Sequence, residues 1–156
     1  MPITSLPGKY GIGCFSKEAY AFIDWLKEAG QTYWQILPIH PTSYGDSPYQ
    51  SFSTFAGNPY FIDLEELIEE GMLTREECDS MDFGDDEDDI DYEDQYQNRY
   101  ILLTMAYERS NISQNPDYQR FVEENRWWLD DYALFMALKT FFNGQCWNEW
   151  PQDIRL

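Results

Sequence analysis

The stretch GDSPYQSFSTFAGNPY, residues 45–60, decides how the rest of the chain is interpreted. Small and hydroxylated residues, with prolines at positions 48 and 59, surround four aromatic ones: Tyr49, Phe52, Phe55 and Tyr60. A buried strand excludes internal prolines, and a helix does not tolerate a proline in mid-run beside so many turn formers. The stretch therefore predicts a long ordered loop, which we call the aromatic loop.

Aromatic rings on an ordered loop are typical of sites that recognise flat, half-apolar ligands. A sugar ring has these properties, because its C–H face stacks on an aromatic ring and its hydroxyls need short polar partners. The same composition fits a loop whose rings only cover the core, so composition leaves both hypotheses open. Asp46 is expected to be a turn former after Gly45, because glycoside chemistry needs two carboxyls at a fixed separation.

The composition argues against several classes of partner. The formal charge of −19 disfavours nucleic acids and anionic membranes, because phosphate binding needs clustered Lys and Arg. The sequence shows neither a charged-then-apolar leader nor an apolar run near 18 residues, so we expect neither export nor membrane insertion. Its three cysteines form no CxxC pair and no zinc spacing, so free thiols in a reducing cytoplasm are expected.

Two short patterns fail as cofactor or metal sites. The pair Gly11-x-Gly13 lacks the third glycine and the lysine of a phosphate loop, so it predicts a plain glycine-rich connection. The acidic run Asp79–Asp94 fails as a calcium loop, because starting at Asp85 it would place Ile90 where Gly is needed. We expect that run to be a solvated, mobile connection.

The segments before the aromatic loop predict a βαβ-type unit. Met1–Ser5 is apolar enough for the stub of a strand, and a helix is expected between the N-cap Ser16 and Gly30 at its end. The run Tyr33–Leu37, ended by Pro38, predicts a strand. The aromatic loop follows this strand, at the position where barrel enzymes place their sites.

The segments after the aromatic loop predict helices. One begins at Asp63, with a capping box to Glu66 and a hydrophobic staple, and ends at Gly71. Thr74 and Glu77 predict a second capping box. Helical periodicity returns over 92–109, and again from about Tyr118 to Gly144, where its apolar pattern is typical of core packing. An apolar segment so near residue 156 is expected to need a partner surface.

Five stretches together resemble one known family. They are SLPGKYGIG (5–13), KEAYAFIDWLKEAGQTYWQILPI (17–39), PTSYGDSPYQSF (41–52), NPYFIDLEELIEEGML (58–73) and WWLDDYALFMALKTFFNG (127–144). Their order and content resemble the N-terminal portion of the amylomaltase family, the 4-α-glucanotransferases. The resemblance spans nearly the whole chain and is weakest through the acidic run.

The resemblance implies an α/β fold: the N-terminal part of an incomplete (β/α)8 TIM barrel, with about two strands and a mostly helical inserted subdomain. The 156 residues fall short of the ~250 of a full barrel. Residues 1–62 are expected to form the first βα units with the aromatic loop. Residues 63–150 would form the helical insertion, with an acidic linker at about 79–94, and residues 151–156 would begin the return to the barrel.

The resemblance also implies a retaining transglycosylation that moves a segment of α-1,4-glucan to the 4-hydroxyl of another glucan, with no metal or organic cofactor. The family's catalytic carboxylates lie on later barrel strands, so we assign no catalytic residue here and expect the chain alone to be inactive. Its expected partners are α-1,4-glucan or maltooligosaccharide and the remainder of the barrel. Two alternatives stay open: a non-catalytic glucan-binding or interaction module, and, ranked lower, a hydrolase that uses Asp46.

The resemblance implies a substrate-binding set within the aromatic loop and just before it. Tyr49 is expected to stack under a sugar, with Ser47 and Gln50 beside it to hydrogen-bond hydroxyls, and Tyr44 to contact glucan at the rim. Pro48 fixes the backbone before Tyr49. The predicted set is Tyr44, Asp46, Ser47, Pro48, Tyr49 and Gln50. His40, which stands where a smaller residue is expected in many relatives, is given a structural role.

Overall fold

A computed structural model describes residues 1–43, 45–84, 86 and 89–155. The chain divides into two compact units, Met1–Asn111 and Ile112–Leu156. All the regular structure in the described residues is helical, and none of these residues lies in a β-strand.

The first unit contains five α-helices with short helical turns between them. The α-helices are α1 (Lys17–Glu28), α2 (Leu64–Glu69), α3 (Arg75–Asp79), α4 (Tyr92–Asp94) and α5 (Tyr100–Arg109). A π-helical turn, Gln95–Arg99, joins α4 to α5. Two 3-10 turns, Ile3–Ser5 and Pro59–Phe61, lie before α1 and at the end of the aromatic loop.

Both predicted strands are wrong for the described residues. Ile3–Ser5 is a 3-10 turn, and its Thr4 carbonyl accepts from the Gly13 N–H at 3.1 Å. Residues 31–39 are assigned neither helix nor strand, and Tyr33 is 91 % exposed. A parallel strand exists only when a neighbouring strand pairs with its backbone, and the described residues supply none. Tyr33–Leu37 therefore does not form a strand, although its composition favours one, because no described strand is available to pair with it.

The helix ends follow the predicted caps, with two differences. Thr74 and Glu77 form both bonds of the predicted capping box. Gly30 and Gly71 follow α1 and α2 with φ of 73° and 77°, as αL caps require. Ser16 is the N-cap of α1, but its side chain makes no capping bond. Asp63 caps α2 through the Glu65 N–H and forms no capping box with Glu66.

The main core of the first unit lies between the glycine-rich segment, helices α2 and α3, and helix α5. Its buried side chains are Tyr10, Leu64, Leu73, Cys78, Phe83, Leu102 and Ala106. The Tyr10 and Phe83 rings pack edge to face, with centroids 5.7 Å apart. A second cluster packs α1 on the first 3-10 turn through Ile3, Leu6, Ala19 and Phe61.

Arg99 lies at the centre of this unit with only 1 % of its surface exposed. Its Nη1 donates to the Ile62 carbonyl at 2.8 Å and its Nε donates to Gln95 Oε1 at 2.9 Å. Gln95, fully buried, donates through Nε2 to the Tyr10 carbonyl at 2.7 Å. Burial lowers the pKa of Arg99, although a guanidinium stays protonated in proteins. One buried cation therefore joins the glycine-rich segment, Ile62 after the second 3-10 turn and the π-helical turn before α5.

Close packing explains why position 11 is a glycine, and this structural role agrees with the predicted plain glycine-rich connection. Its φ is 72°, and an added Cβ would lie 2.3 Å from the Phe83 carbonyl oxygen. Only a residue without a side chain permits this approach. The same contact anchors the described part of the acidic run, because Phe83 is buried in the core. Asp85, Glu87 and Asp88 lie outside the described residues, so the predicted mobility of that run stays a prediction.

The second unit consists of α6 (Pro116–Phe141), α7 (Gln152–Arg155) and two 3-10 turns, Ile112–Gln114 and Trp147–Glu149. The long helix ends as predicted, with Asn143 and Gly144 at positive φ. The predicted core packing of α6 is wrong in this structure, since none of its 26 residues is buried. Its neighbours within the unit are short, and they bury mainly Trp150, which packs on Phe135 and Phe142.

Cys14, Cys78 and Cys146 are free thiols, as predicted, and the first two are buried. Burial raises the pKa of Cys14 to about 11, which leaves it a neutral core side chain at physiological pH. Within the described part of the chain, no helix has the length and apolar character needed to cross a bilayer.

We expect Arg99→Met to destabilise the first unit by about 3 kcal/mol, because removing one partner leaves buried acceptors such as the Ile62 carbonyl unpaired. Urea unfolding followed by circular dichroism measures the change. Arg120→Met, an exposed arginine on α6, is the matched control and should stay within about 0.5 kcal/mol of the wild type. Equal stability of Arg99→Met and the control would contradict a central role for Arg99.

We expect Glu65→Gln to remove a pH-dependent part of the stability. Arg75 binds the Glu65 carboxylate through two hydrogen bonds of 2.8 and 2.7 Å, and this pair lowers the pKa of Glu65 from 4.5 to about 2. The folded pKa is the lower one, so the contribution is complete above pH 4.5 and is lost as the pH falls towards 2.

Unfolding midpoints in urea between pH 7 and pH 2 test this expectation. The variant should be less stable than the wild type by about 1 kcal/mol at neutral pH, since the ion pair is partly exposed, and the gap should close near pH 2. Glu66→Gln removes an exposed carboxyl of the same helix and serves as the control. The same pH profile for both variants would contradict the assignment to Glu65.

Candidate functional site

The aromatic loop is a closed, ordered loop, as the sequence predicts. Three hydrogen bonds between described residues join residues 39–43, the outgoing leg that leads into the loop, to residues 50–58, its returning leg. The Ser43 N–H donates to the Gln50 carbonyl at 2.9 Å, and the Asn58 N–H donates to the Ile39 carbonyl at 2.9 Å. Between them, His40 Nδ1 lies 3.2 Å from the Ala56 carbonyl, which makes it the donor. His40 thus has a structural role in the loop, in agreement with the prediction.

The hydroxyl side chains of the loop support its own backbone. The Ser51 Oγ donates to the Ser53 carbonyl at 2.7 Å, and the Ser53 Oγ accepts from the Ala56 N–H at 3.1 Å. Ser47 accepts from the Tyr49 N–H at 3.4 Å. Such local bonds replace the regular ladder that a loop lacks, so the returning backbone stays ordered without a strand.

The four rings of the loop divide between the two hypotheses that composition left open. Tyr60 is 5 % exposed and belongs to the interior. Phe55 is 55 % exposed and Tyr49 is 74 % exposed, and Phe52 is half-buried. Part of the aromatic content therefore covers the core, and part stands at the surface, where it can stack on a ligand.

The structure brings the predicted site residues into one turn. Asp46, Ser47 and Pro48 are half-buried, whereas Tyr49 and Gln50 are exposed at the tip of the turn. The Gln50 N–H donates to the Ser47 carbonyl at 3.0 Å, which fixes the turn that presents Tyr49. The predicted contact residue Tyr44 lies outside the described residues.

Asp46 has an unusual backbone conformation and a defined side-chain partner. Its φ is 51°, and it follows Gly45 with φ of 85°. The Thr42 hydroxyl donates to Asp46 Oδ1 at 3.2 Å. Burial raises the pKa of Asp46, and the bond from Thr42 opposes part of that rise. As predicted, Asp46 forms a turn, and its side chain closes that turn onto the outgoing leg.

A small cavity of about 80 Å³ lies beside this turn. Asp46 and Pro48 line it from the loop, and Tyr92 lines it from the start of α4. Tyr60 completes this wall, and the rest of the lining consists of Pro2, Ile3, Thr4, Leu37, Pro38, Thr42, Asn58 and Phe61. Asp46 is the charged residue of the described lining. The cavity is thus a mostly apolar recess with one carboxylate next to the exposed Tyr49.

The carboxylate influences both phenols of the cavity. Burial, followed by the charges of Asp46 and Asp89, raises the pKa of Tyr92. Burial is also the main cause of the raised pKa of Tyr60, to which Asp46 adds. Both phenols therefore stay protonated at physiological pH and can act as hydrogen-bond donors.

Sequence reasoning missed Tyr92 and Thr42 as parts of this recess. Tyr92 lies near the end of the acidic run, 46 positions after Asp46, and the sequence assigns it only to helical periodicity. Thr42 precedes the aromatic loop in a short polar stretch. The spacing of four between Thr42 and Asp46 was a usable signal for a local side-chain bond, whereas nothing in the sequence indicated Tyr92.

The described residues contain no group of three or more His, Cys, Asp or Glu side chains placed to hold a metal ion. The turn presents one exposed ring with amide and hydroxyl groups beside it, and a carboxylate faces the adjoining recess. General acid–base cleavage of a glycoside requires a pair of carboxyls across the bond, and Asp46 has no second carboxyl in the described lining.

Comparison with known proteins gives one consistent family. A family model described as 4-alpha-glucanotransferase matches residues 1–156. The chain is 52 % identical over 156 residues to a 4-alpha-glucanotransferase of Clostridium butyricum, covering 100 % of this chain and 32 % of that protein. It is 47 % identical over 156 residues to the 4-alpha-glucanotransferase of Thermus thermophilus, covering 97 % of this chain and 30 % of that protein.

Among solved structures, the amylomaltase from Streptococcus agalactiae in complex with acarbose superposes with a TM-score of 0.87 at 42 % sequence identity. The match covers 97 % of this chain and 31 % of that one. The chain therefore spans about a third of the length of the relatives that it matches.

Proposed function

Because the chain belongs to the 4-alpha-glucanotransferase family, we propose that it forms the N-terminal, glucan-binding part of such an enzyme. The observation that carries this proposal is the closed loop that presents Tyr49, 74 % exposed, beside a recess with one carboxylate. The ligand is α-1,4-glucan or maltooligosaccharide. The solved relative was studied in complex with acarbose, which agrees with a site for a sugar ring.

We propose the following roles within the predicted set. The Tyr49 ring stacks on the C–H face of a glucose unit, and Gln50 and Ser47 hydrogen-bond its hydroxyls. Pro48 holds the backbone before Tyr49 in an extended form. Tyr44 contacts glucan at the rim, as the resemblance implies. These residues bind and orient the sugar, and no step of bond cleavage is assigned to them.

The reaction proposed for the whole enzyme is a retaining double displacement. A carboxylate attacks the anomeric carbon while an acid protonates the leaving oxygen, which gives a covalent glucosyl-enzyme. The 4-hydroxyl oxygen of a second glucan then bonds to that carbon, its proton returns to the conjugate base of the acid, and the bond to the enzyme carboxylate breaks. The described loop brings no such pair together, so we propose that the catalytic carboxylates belong to later parts of the family fold. The fold proposed for the complete enzyme is a (β/α)8 barrel in the cytoplasm.

Within that fold we keep the domain assignment proposed from the sequence: barrel units in 1–62, a helical insertion in 63–150 and a return to the barrel in 151–156. The described residues contain no strand, so this assignment requires that the barrel strands of 1–62 form only when the remainder of the barrel supplies neighbours to pair with them. That remainder is also the proposed protein partner, whose surface would cover the exposed apolar side chains of α6.

A non-catalytic glucan-binding module is the second candidate. It is favoured by the closure of the aromatic loop, because the hydrogen bonds that join its two legs, Ser43–Gln50, His40–Ala56 and Ile39–Asn58, lie within residues 39–58. A loop that is ordered by its own contacts can bind sugar without a complete barrel. The two candidates share the binding step and differ only in catalysis.

We expect the chain to bind maltoheptaose weakly, with Kd in the millimolar range, and Tyr49→Ala to weaken binding about fivefold. Isothermal titration or ligand-observed NMR measures both values. Tyr33→Ala, which removes a more exposed tyrosine outside the loop, is the matched control and should bind as the wild type does. Equal affinity of wild type and Tyr49→Ala would contradict the proposed site.

We expect the chain alone to release no glucose and form no longer oligomers from maltotriose, as followed by thin-layer or anion-exchange chromatography. Mixing or co-expressing it with the remaining two-thirds of the Clostridium butyricum relative should restore disproportionation. Activity of the chain alone that is lost in Asp46→Asn would support the hydrolase hypothesis. Failure of the mixture, with both parts folded and glucan still bound, would favour the binding module.

A further inference from the structure

We propose that Asp46 is a positioning residue for Tyr49 and not a glucan ligand. The proposal rests on the proposed function, since it concerns how the binding ring is held. It also reassigns one member of the predicted substrate-binding set. The argument depends on the backbone of residues 45–46, the bond to Thr42 and the size of the adjoining cavity.

The backbone at this turn favours an aspartate or asparagine. Gly45 and Asp46 are consecutive residues with positive φ, at 85° and 51°. Most side chains are strained in this region, whereas Asp and Asn tolerate it because their short polar side chains bond locally. Asp46 makes such a bond, since it accepts from the Thr42 hydroxyl at 3.2 Å. The side chain therefore offsets part of the strain of the turn.

The contacts of Asp46 lead directly to Tyr49. The Asp46 N–H donates to the Ser43 carbonyl at 3.1 Å, so both its backbone and its side chain are tied to the outgoing leg. The Ser43 N–H in turn donates to the Gln50 carbonyl at 2.9 Å. Tyr49 lies between Asp46 and Gln50, and both of these flanking residues are joined to residues 42–43. This double attachment fixes the chain direction from which the ring projects.

The cavity beside Asp46 is too small to serve as a sugar subsite. Its volume of about 80 Å³ leaves room for several water molecules, and ligand pockets typically hold ~300–1,000 Å³. Tyr60 and Tyr92, which share this lining, are the titratable groups that face Asp46. The carboxylate thus faces this small recess, whose lining does not include the exposed Tyr49.

A ring that is already aimed loses less freedom when it binds, so holding it improves affinity without a new contact. Asp46→Ala and the near-isosteric Thr42→Val should each weaken maltoheptaose binding about threefold, which is less than the loss expected for Tyr49→Ala because the ring itself is still present. Asp46→Asn, which keeps an acceptor and tolerates positive φ, should bind within about twofold of the wild type. Asp24→Ala removes an exposed aspartate of α1 and is the control for charge.

A double-mutant cycle separates positioning from general loss of structure. If Asp46 acts through Tyr49, adding Asp46→Ala to Tyr49→Ala should weaken binding no further than Tyr49→Ala alone. Thermal unfolding of each variant checks that the first unit is folded. If Asp46→Ala does not fold, the same cycle is run with Thr42→Val, which removes the donor and keeps the side-chain shape.

Four results would overturn the proposal. Equal weakening by Asp46→Ala and Asp46→Asn, with Thr42→Val unchanged, would make the charge a direct glucan contact. A further loss on top of Tyr49→Ala would show an action independent of the ring. Unchanged affinity in all Asp46 and Thr42 variants, with Tyr49→Ala weakened, would overturn positioning and leave the proposed function intact. Equal binding by wild type and Tyr49→Ala would overturn the proposed function itself.

Discussion

The first unit depends on one buried cation. Arg99 joins the Ile62 carbonyl to Gln95, and Gln95 joins the Tyr10 carbonyl, so three distant segments share one hydrogen-bond network. Burying a charge is favourable only when its polar neighbours are well placed, and here carbonyl and amide oxygens meet the guanidinium. Ile62 directly follows the 3-10 turn that ends the aromatic loop. The returning leg of the loop therefore ends next to a residue that the core holds in place.

The aromatic loop shows how a segment without regular structure is held still. Its backbone groups are satisfied by cross-links between the legs and by the Ser51, Ser53 and Ser47 hydroxyls. The Tyr60 side chain is buried, whereas the Tyr49 side chain is exposed. The hydroxyls and the carboxylate thus have a structural use first, and recognition falls to the ring and to the groups beside it. On the proposed function, this division allows a polar, aromatic stretch to be ordered and still bind a sugar.

The differences between expectation and structure have a common origin. The run Tyr33–Leu37 has strand composition, and α6 has the composition of a core helix, yet the first joins no ladder and the second buries no residue. Strand pairing and helix burial are both non-local, since each needs a second surface. Local devices behaved differently: the Thr74–Glu77 box, the Gly30 and Gly71 caps and the Asn143–Gly144 end were all predicted from a few neighbouring residues.

The sequence by itself determined the family, the ordered loop at 45–60, most helix ends and the set of loop residues that carries the proposed binding. These follow from turn chemistry, capping and residue order, which act over a few positions. Only the tertiary structure decided which ring is exposed and that Tyr92 lines the same recess as Asp46. Those facts depend on where the chain crosses itself, and the local pattern of a sequence does not encode that crossing.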